Sequence, residues 1–204
     1  MSESAHSLLR LATLADAPAI ASIYAPWVRE TGVSFELEPP SAAIIAGRIA
    51  AVTFYPYLVL ELDGIVRAYA YASRLRERPA YDWVAETSIY VDRSVHRRGL
   101  GERIYVALLD LLAMQGLVWA YGGISVASDA SEPGPSQRFH ERLGFEQFAR
   151  FPRVGFKFGR WWDVDWWRFA LSEQGHEDPA QLEPIRSIHD ASLRDAVAER
   201  LAWG

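Results

Sequence analysis

No cysteine occurs in the sequence, so disulfides, thiolate-held metals and thiol nucleophiles are excluded from the start. Basic runs are missing too: 21 Lys and Arg stand against 26 Asp and Glu, for a net charge of -5. A slightly acidic chain without a basic stretch has little electrostatic hold on nucleic acid or on an anionic membrane surface. No apolar stretch approaches the ~20 residues needed to span a bilayer. The opening residues, MSESAHSLLRLA, lack the basic start and long apolar core of a signal peptide. The expectation is a cytoplasmic protein with no nucleic-acid or membrane partner. His6, His176 and His189 are scattered through the ends of the chain, and no metal site is expected from them.

What the sequence does have is a large apolar fraction, half of its 204 residues, enough for one domain with a core. Residues 1–171 are expected to form that domain and 172–204 a tail. Leu193, Val197 and Leu201 recur at i, i+4, i+8 in the tail, a narrow stripe that predicts a helix docked on the domain or on a partner subunit. Within the domain, SLLRLAT reads as a strand. Asp16 is placed to cap a helix through DAPAIASIYAPWVRE, with Ile20, Ile23, Tyr24 and Trp27 on one stripe. Ser41 opens a second helix, and a hairpin turned at Asp63-Gly64 joins YLVLEL to IVRAYAYAS. AETSIYVD is a further strand. Helical spacing of Ile104, Leu108, Leu111 and Leu112 stops at Gly116. A strand through LVWAYGGISVAS, a short helix through SQRFHERLGF and a last hairpin, VGFKFG with WWDVDWWRFAL, complete the order. The predicted fold is a mixed α/β sheet flanked by helices. Four of the eight tryptophans crowd the last strand. They predict an aromatic strand packed on a core or a subunit interface, with a pocket wall as the alternative.

Between AETSIYVD and the following helix lies HRRGLGE, from His96 to Glu102. Glycines at such a junction let the backbone come close to a phosphate, which the helix N-terminus then binds. The dinucleotide fingerprint needs a third glycine where the chain has Arg103 or Ile104, and the Walker loop needs Lys followed by Ser or Thr. Both are excluded. A tight turn that uses glycines only for their conformation remains open at this point.

The loop does resemble the R/Q-x-x-G-x-G/A segment of the GNAT N-acetyltransferases, which hold the pyrophosphate of acetyl-CoA. Within that superfamily the chain is similar to the phosphinothricin/methionine sulfoximine acetyltransferase family, through TGVSFELEP, AYDWVAETSIYV, RRGLGERIY, FHERLGF and VGFKFGRWWDV in that family's order. The resemblance covers about residues 8–171 and implies a GNAT-like fold and a homodimer. It also implies that the backbone of Ile89, Tyr90 and Val91 pairs with the pantetheine arm of acetyl-CoA, while Arg97, Arg98, Gly99, Leu100, Gly101 and Glu102 cradle the pyrophosphate. No metal is implied. His96 stands where Gln or Arg is usual, and Pro133 where Asn is frequent; the second change removes a side-chain contact to the coenzyme.

Acetyl transfer to an amine requires loss of a proton from the ammonium, polarisation of the thioester and stabilisation of the departing thiolate. Glu86 resembles the family's general base. It lies roughly 10 Å along the strand from Ile89, at about 3.3 Å per residue. The alternative for Glu86 is a strand-end carboxylate paired with Arg76 or Arg78. His140, at the helix position where many GNAT members carry tyrosine, is the candidate acid for the thiolate; the alternative is a histidine on an exposed face. Arg76 and Arg78 are candidates to hold an acceptor carboxylate, with Phe35, Tyr81 and Trp83 as apolar walls. Lys157 and Arg160 receive no role. The expected activity is acetyl-CoA-dependent N-acetylation of a small amino-acid-like molecule such as phosphinothricin, methionine sulfoximine or methionine sulfone, by direct attack in a ternary complex. Another amine acceptor, such as a peptide N-terminus or polyamine, and a non-catalytic acyl-CoA-binding module are the competing readings.

Overall fold

The computed structural model describes residues 7–95, 99–172 and 181–185. Its elements run β1 (Ser7–Leu11), α1 (Ala17–Glu30), α2 (Ala42–Ala51), β2 (Tyr57–Leu62), β3 (Ile65–Arg74), β4 (Val84–Val91), α3 (Leu100–Met114), β5 (Trp119–Ala127), α4 (Pro135–Arg142), β6 (Glu146–Lys157) and β7 (Arg160–Ala170). The seven strands form one sheet in the order β1-β2-β3-β4-β5-β7-β6. Only β4 and β5 are parallel, the pair that α3 connects.

Alternation along β3 shows how the sequence builds the layers. Tyr69 and Tyr71 point to one face, where they join Ile20, Ile23, Tyr24 and Val28 of α1 and Ile45 of α2. Ala68, Ala70 and Ala72 point to the other, and their small side chains let α3 pack closely through Ile104, Leu108, Leu111 and Leu112. The sheet is thus covered on both sides, with α1 and α2 over the tyrosine face and α3 over the alanine face.

Several expected local devices are present. Asp63 and Gly64 both take positive φ, 50° and 76°, as a two-residue type I′ hairpin requires. Ser41 caps α2 by accepting the Ile44 N–H at 3.3 Å. Gly116, at φ 87°, ends α3 in a Schellman arrangement: its N–H reaches Ala113 O, and the Leu117 N–H reaches Leu112 O.

Two expectations are corrected. Asp16 does not cap α1 through its side chain. Its carboxylate accepts the Thr13 N–H at 2.7 Å and a 2.8 Å ion pair from Arg10 instead, closing the single 3-10 turn that precedes the helix. The strand expected from Val154 begins at Glu146. Pro152 obscured it, yet proline is tolerated because β6 is the sheet edge, and the register shifts between Phe151 and Gly155. The tryptophans of β7 do not share one face. Trp167 enters the core, whereas Trp162 lies against Gly32 and Trp166 against Gly123. Buried Asp163 and Asp165 alternate with them. Because β7 is an interior strand, the exposed apolar edge belongs to β6.

The tail helix expected around Leu193 to Leu201 lies outside the described residues, as do His6, His176 and His189. The short segment Gln181–Ile185 docks on the domain: the Glu183 N–H donates to Gln115 O, the Ile185 N–H to Phe54 O, and Ile185 is buried.

Candidate active site

The parallel ladder between β4 and β5 contains three pairs, Val84–Trp119, Ala85–Ala120 and Glu86–Tyr121. Both strands continue, β4 to Val91 and β5 to Ala127, while each keeps its antiparallel partner on the outer side. The sheet therefore opens as a wedge beyond Glu86 and Tyr121. Strand edges that part company inside a sheet offer backbone donors and acceptors to an extended ligand. Ile89, Tyr90 and Val91 lie on the β4 side of that opening.

The base of the wedge is closed by side chains. Thr87 donates its hydroxyl hydrogen toward Tyr121 O at 3.0 Å and lies 2.7 Å from the Tyr105 hydroxyl. Tyr105 in turn lies 3.2 Å from His140 Nε2, and His140 Nδ1 is 2.9 Å from Ser136 O. A carbonyl only accepts, so Nδ1 carries the proton and Nε2 is an acceptor facing the Tyr105 hydroxyl, whose single hydrogen is shared between Nε2 and Thr87 Oγ1. Burial pushes the His140 pKa down, against the raising effect of the Ser136 carbonyl, and the imidazole is neutral at pH 7. His140 is 5% exposed, which overturns the alternative of a solvated helix face. Gly122 is what admits it: a Cβ there would stand 3.2 Å from Nε2.

Glu86 sits at the fork on the opposite face of β4. Its register partner is Ser73, followed by Ser88 against Tyr71 and Tyr90 against Tyr69, so Glu86, Ser88 and Tyr90 share the tyrosine face. Burial raises the Glu86 pKa, and the charge of Arg76 opposes that rise. Among the described residues no ion pair to Glu86 is formed; Arg76 acts on it from a distance. A half-buried carboxylate with a raised pKa and no ion pair can accept a proton, and the alternative of a strand-end pair with Arg76 or Arg78 is not formed.

At the mouth of the wedge, Gly99 takes φ 72° as the N-cap of α3, a left-handed conformation that favours glycine. Leu100, Gly101 and Glu102 form the first turn, whose N–H groups have no intrahelical partner. Gly101 is different from Gly99. A Cβ there would make ordinary contacts of 3.4–3.7 Å with Val91, Ile89 and Phe139, so the protein's own packing does not demand glycine. His96, Arg97 and Arg98 lie outside the described residues.

The remaining predicted residues are spread around the Glu86 face. Arg76 and Arg78 are exposed on the loop after β3, and only Arg76 bears on Glu86. Tyr81 ends a 3-10 turn and is 41% exposed; Trp83 is half-buried. Phe35 lies over Gly155 of β6, where any Cβ would overlap its ring. The loop bearing Phe35 is held by a residue to which the sequence assigned no role: buried Lys157 donates to Val28 O and Ser34 O, both at 2.7 Å. Asp165 was missed as well. It is fully buried and accepts from Gln137 Nε2 at 2.9 Å and from Arg150, fixing α4 to the sheet. The aspartates at alternate positions of an aromatic strand were the available signal. Among the described residues no group of His, Asp or Glu is arranged to hold a metal, and no helix is long and apolar enough to cross a membrane.

Comparison with known proteins places the same arrangement in a family context. Residues 9–166 match the Acetyltransferase (GNAT) domain. A phosphinothricin N-acetyltransferase of Streptomyces viridochromogenes is 33% identical over 181 residues, covering 88% of this chain and 93% of the relative. An L-methionine sulfoximine/L-methionine sulfone acetyltransferase of Pseudomonas aeruginosa is 32% identical over 182 residues, covering 86% and 98%. Among solved structures, a GNAT superfamily phosphinothricin acetyltransferase from Sinorhizobium meliloti in complex with AcCoA superposes with a TM-score of 0.79 at 31% identity, covering 88% of this chain and 96% of that one.

Proposed function

The chain belongs to the GNAT acetyltransferase family, and on that premise we propose that this N-acetyltransferase moves the acetyl group of acetyl-CoA onto the α-amine of a small amino-acid-like acceptor, of the phosphinothricin, methionine sulfoximine or methionine sulfone type, within a ternary complex. The observation that carries the reading is the fork at Glu86, where the β4–β5 ladder ends beside a carboxyl whose pKa burial has raised.

Acetyl-CoA, as substrate, lies in the wedge with its pantetheine arm along Ile89, Tyr90 and Val91, and its pyrophosphate at Arg97 to Glu102. Glu86 then faces the acyl end. It takes a proton from the acceptor ammonium, directly or through a water; the free amine attacks the thioester carbonyl, a C–N bond forms and the C–S bond breaks. Arg76 supplies a guanidinium for the acceptor carboxylate. His140 is neutral, with its N–H engaged by Ser136 and Nε2 turned to Tyr105, so it positions the Tyr105 hydroxyl at the base of the wedge; the second proton that the attacking nitrogen sheds as the amide forms balances the departing thiolate. Residues 1–171 form the catalytic unit and 172–204 a tail attached to it. A coenzyme-A donor fits a cytoplasmic site of action. The assembly is a homodimer formed through edge strand β6 and its hairpin, which expose Phe148, Phe151, Phe156, Phe158 and Trp161.

Coenzyme-A release, titrated as free thiol, tests the activity across L-phosphinothricin, L-methionine sulfoximine, methionine sulfone, ordinary amino acids, spermidine and a short peptide. The chain has no thiol of its own to interfere. Turnover of amino-acid acceptors is expected. Turnover of spermidine or peptide alone would discard the acceptor class. Acetyl-CoA binding with no turnover anywhere would favour a binding module.

A further inference from the structure

Two buried aspartates of β7, Asp163 and Asp165, lie outside the chemistry proposed above. They stand at alternate positions and so on one face of the sheet, and each holds one end of the connection between β5 and α4. Asp163 accepts from the Ser128 hydroxyl at 2.5 Å, just after β5, and from the Arg153 N–H at 2.8 Å. Asp165 accepts from Gln137 Nε2 at 2.9 Å, and Gln137 Oε1 takes the Gly134 N–H at 2.6 Å, just before α4. Arg150 of β6 completes the Asp165 carboxylate with two further hydrogen bonds, at 2.5 and 2.8 Å. We propose that this pair of aspartates clamps the β5–α4 connection to the sheet, and that the clamp, with Gln137 as its middle member, positions α4 for acetyl-CoA. The proposal rests on the placement of the coenzyme in the wedge.

α4 stands over the β5 side of the wedge. Its His140 lies against Gly122 of β5, where a Cβ would stand 3.2 Å from Nε2, and its Phe139 lies 3.7 Å from where a Cβ of Gly101 would stand. Gln137 and His140 are both buried, and their spacing of three residues puts them on the same helix face, turned to the sheet. The helix has eight residues, about two turns, too few to keep its shape without tethers. Its seat on β7 therefore sets the space left between α4 and the first turn of α3.

The polar character of the tether has a physical consequence. An apolar contact would let α4 slide or rotate at small cost. A buried carboxylate accepts only donors at hydrogen-bond distance, and an amide that misses it leaves buried groups unpaired. Gln137 meets that demand at both of its ends. The wall of the wedge is thus fixed before the coenzyme arrives, which lowers the ordering cost of binding.

The test is calorimetric titration of the full chain with acetyl-CoA, beside a turnover assay, well below the Tm of each variant. Gln137→Leu nearly keeps the side-chain volume and removes both hydrogen bonds. Its acetyl-CoA Kd should rise about tenfold, with kcat at saturating acetyl-CoA and the acceptor KM within about twofold of the parent. Ser128→Ala loosens the other end at an exposed position and should raise the Kd about threefold. A purely structural role would lower the Tm of Gln137→Leu and leave its Kd unchanged, and that result would overturn the proposal. A loss in kcat as large as the loss in coenzyme affinity would overturn it too. If Gln137→Leu does not fold, Ser128→Ala decides, an unchanged Kd again overturning the clamp. A parent that binds acetyl-CoA but acetylates no acceptor would overturn the acetyltransferase reading, while the Kd series would still decide the clamp.

Discussion

At Glu86, burial outweighs the favourable charge of Arg76 and holds the carboxyl above its ordinary pKa. A raised folded-state pKa means that ionising the group opposes folding. The stability tied to it is complete below the unfolded pKa and is lost as pH rises through the folded one. Glu86→Gln removes that cost, so the variant should melt no lower than the parent at pH 7 while turnover falls about 10²–10⁴-fold. Differential scanning calorimetry, kcat and the acetyl-CoA Kd together check this; equal loss of kcat and coenzyme affinity would remove Glu86 from the role of base. The acid limb of kcat/KM should accordingly lie above the ordinary glutamate value. The two loop glycines separate in the same way. Gly99→Ala forces an alanine to φ 72° and should cost about 1–2 kcal/mol of stability. Gly101→Ala fits the protein and should stabilise α3 by up to about 1 kcal/mol, yet, on the proposed placement of the coenzyme, raise the KM for acetyl-CoA, because the added methyl lies against Val91 and Ile89 of the strand beside which the coenzyme would run.

At the scale of elements, the wedge depends on what holds its two sides apart. β4 is bound to β3 from Ala85 to Val91, and β5 along its whole length to β7, so neither strand can swing across to complete the ladder. The Thr87, Tyr105 and His140 side chains fill the fork from the α3 side. On the other side, the loop after α1 is tied to the β6–β7 hairpin by Lys157. Lys157→Met leaves the Val28 and Ser34 carbonyls without their buried donor. It should cost about 1–3 kcal/mol and loosen the loop that carries Phe35, seen as a lower Tm and a higher acceptor KM with the acetyl-CoA Kd unchanged.

For the molecule as a whole, the two helical layers have different tasks. α3 and the alanine face make the larger core and place a helix N-terminus at the wedge, whereas α1 and α2 cover the tyrosine face that Glu86 shares. The sheet's free apolar edge is β6. If it is the dimer interface, Phe156→Glu puts a charge where an exposed ring stood, 58% accessible in the single chain. Light scattering should then report a monomer where the parent is a dimer, with little change in Tm extrapolated to low concentration. A parent that is monomeric at all concentrations would discard the interface.

Much was readable along the chain, because local chemistry decides it. Period-2 and period-3.6 patterns, the Asp63-Gly64 turn, the Ser41 cap and the Gly116 stop each depend on a few neighbouring residues, and the order of elements follows from them. The motifs around Glu86, the Gly99–Gly101 loop and His140 were likewise visible. Where the sequence misled, a distant partner decided. Asp16 was drawn from its cap by Arg10, and Pro152 was tolerated only because β6 is an edge. His140 could not be told from a surface residue until Tyr105 and Gly122 closed around it. The hydrogen-bond partners of Asp163 and Asp165 were not legible either, since they come from α4, β6 and the end of β5. Burial, the pKa shifts it causes and the shape of an enclosed space are properties of many segments brought together, and only the tertiary structure sets them.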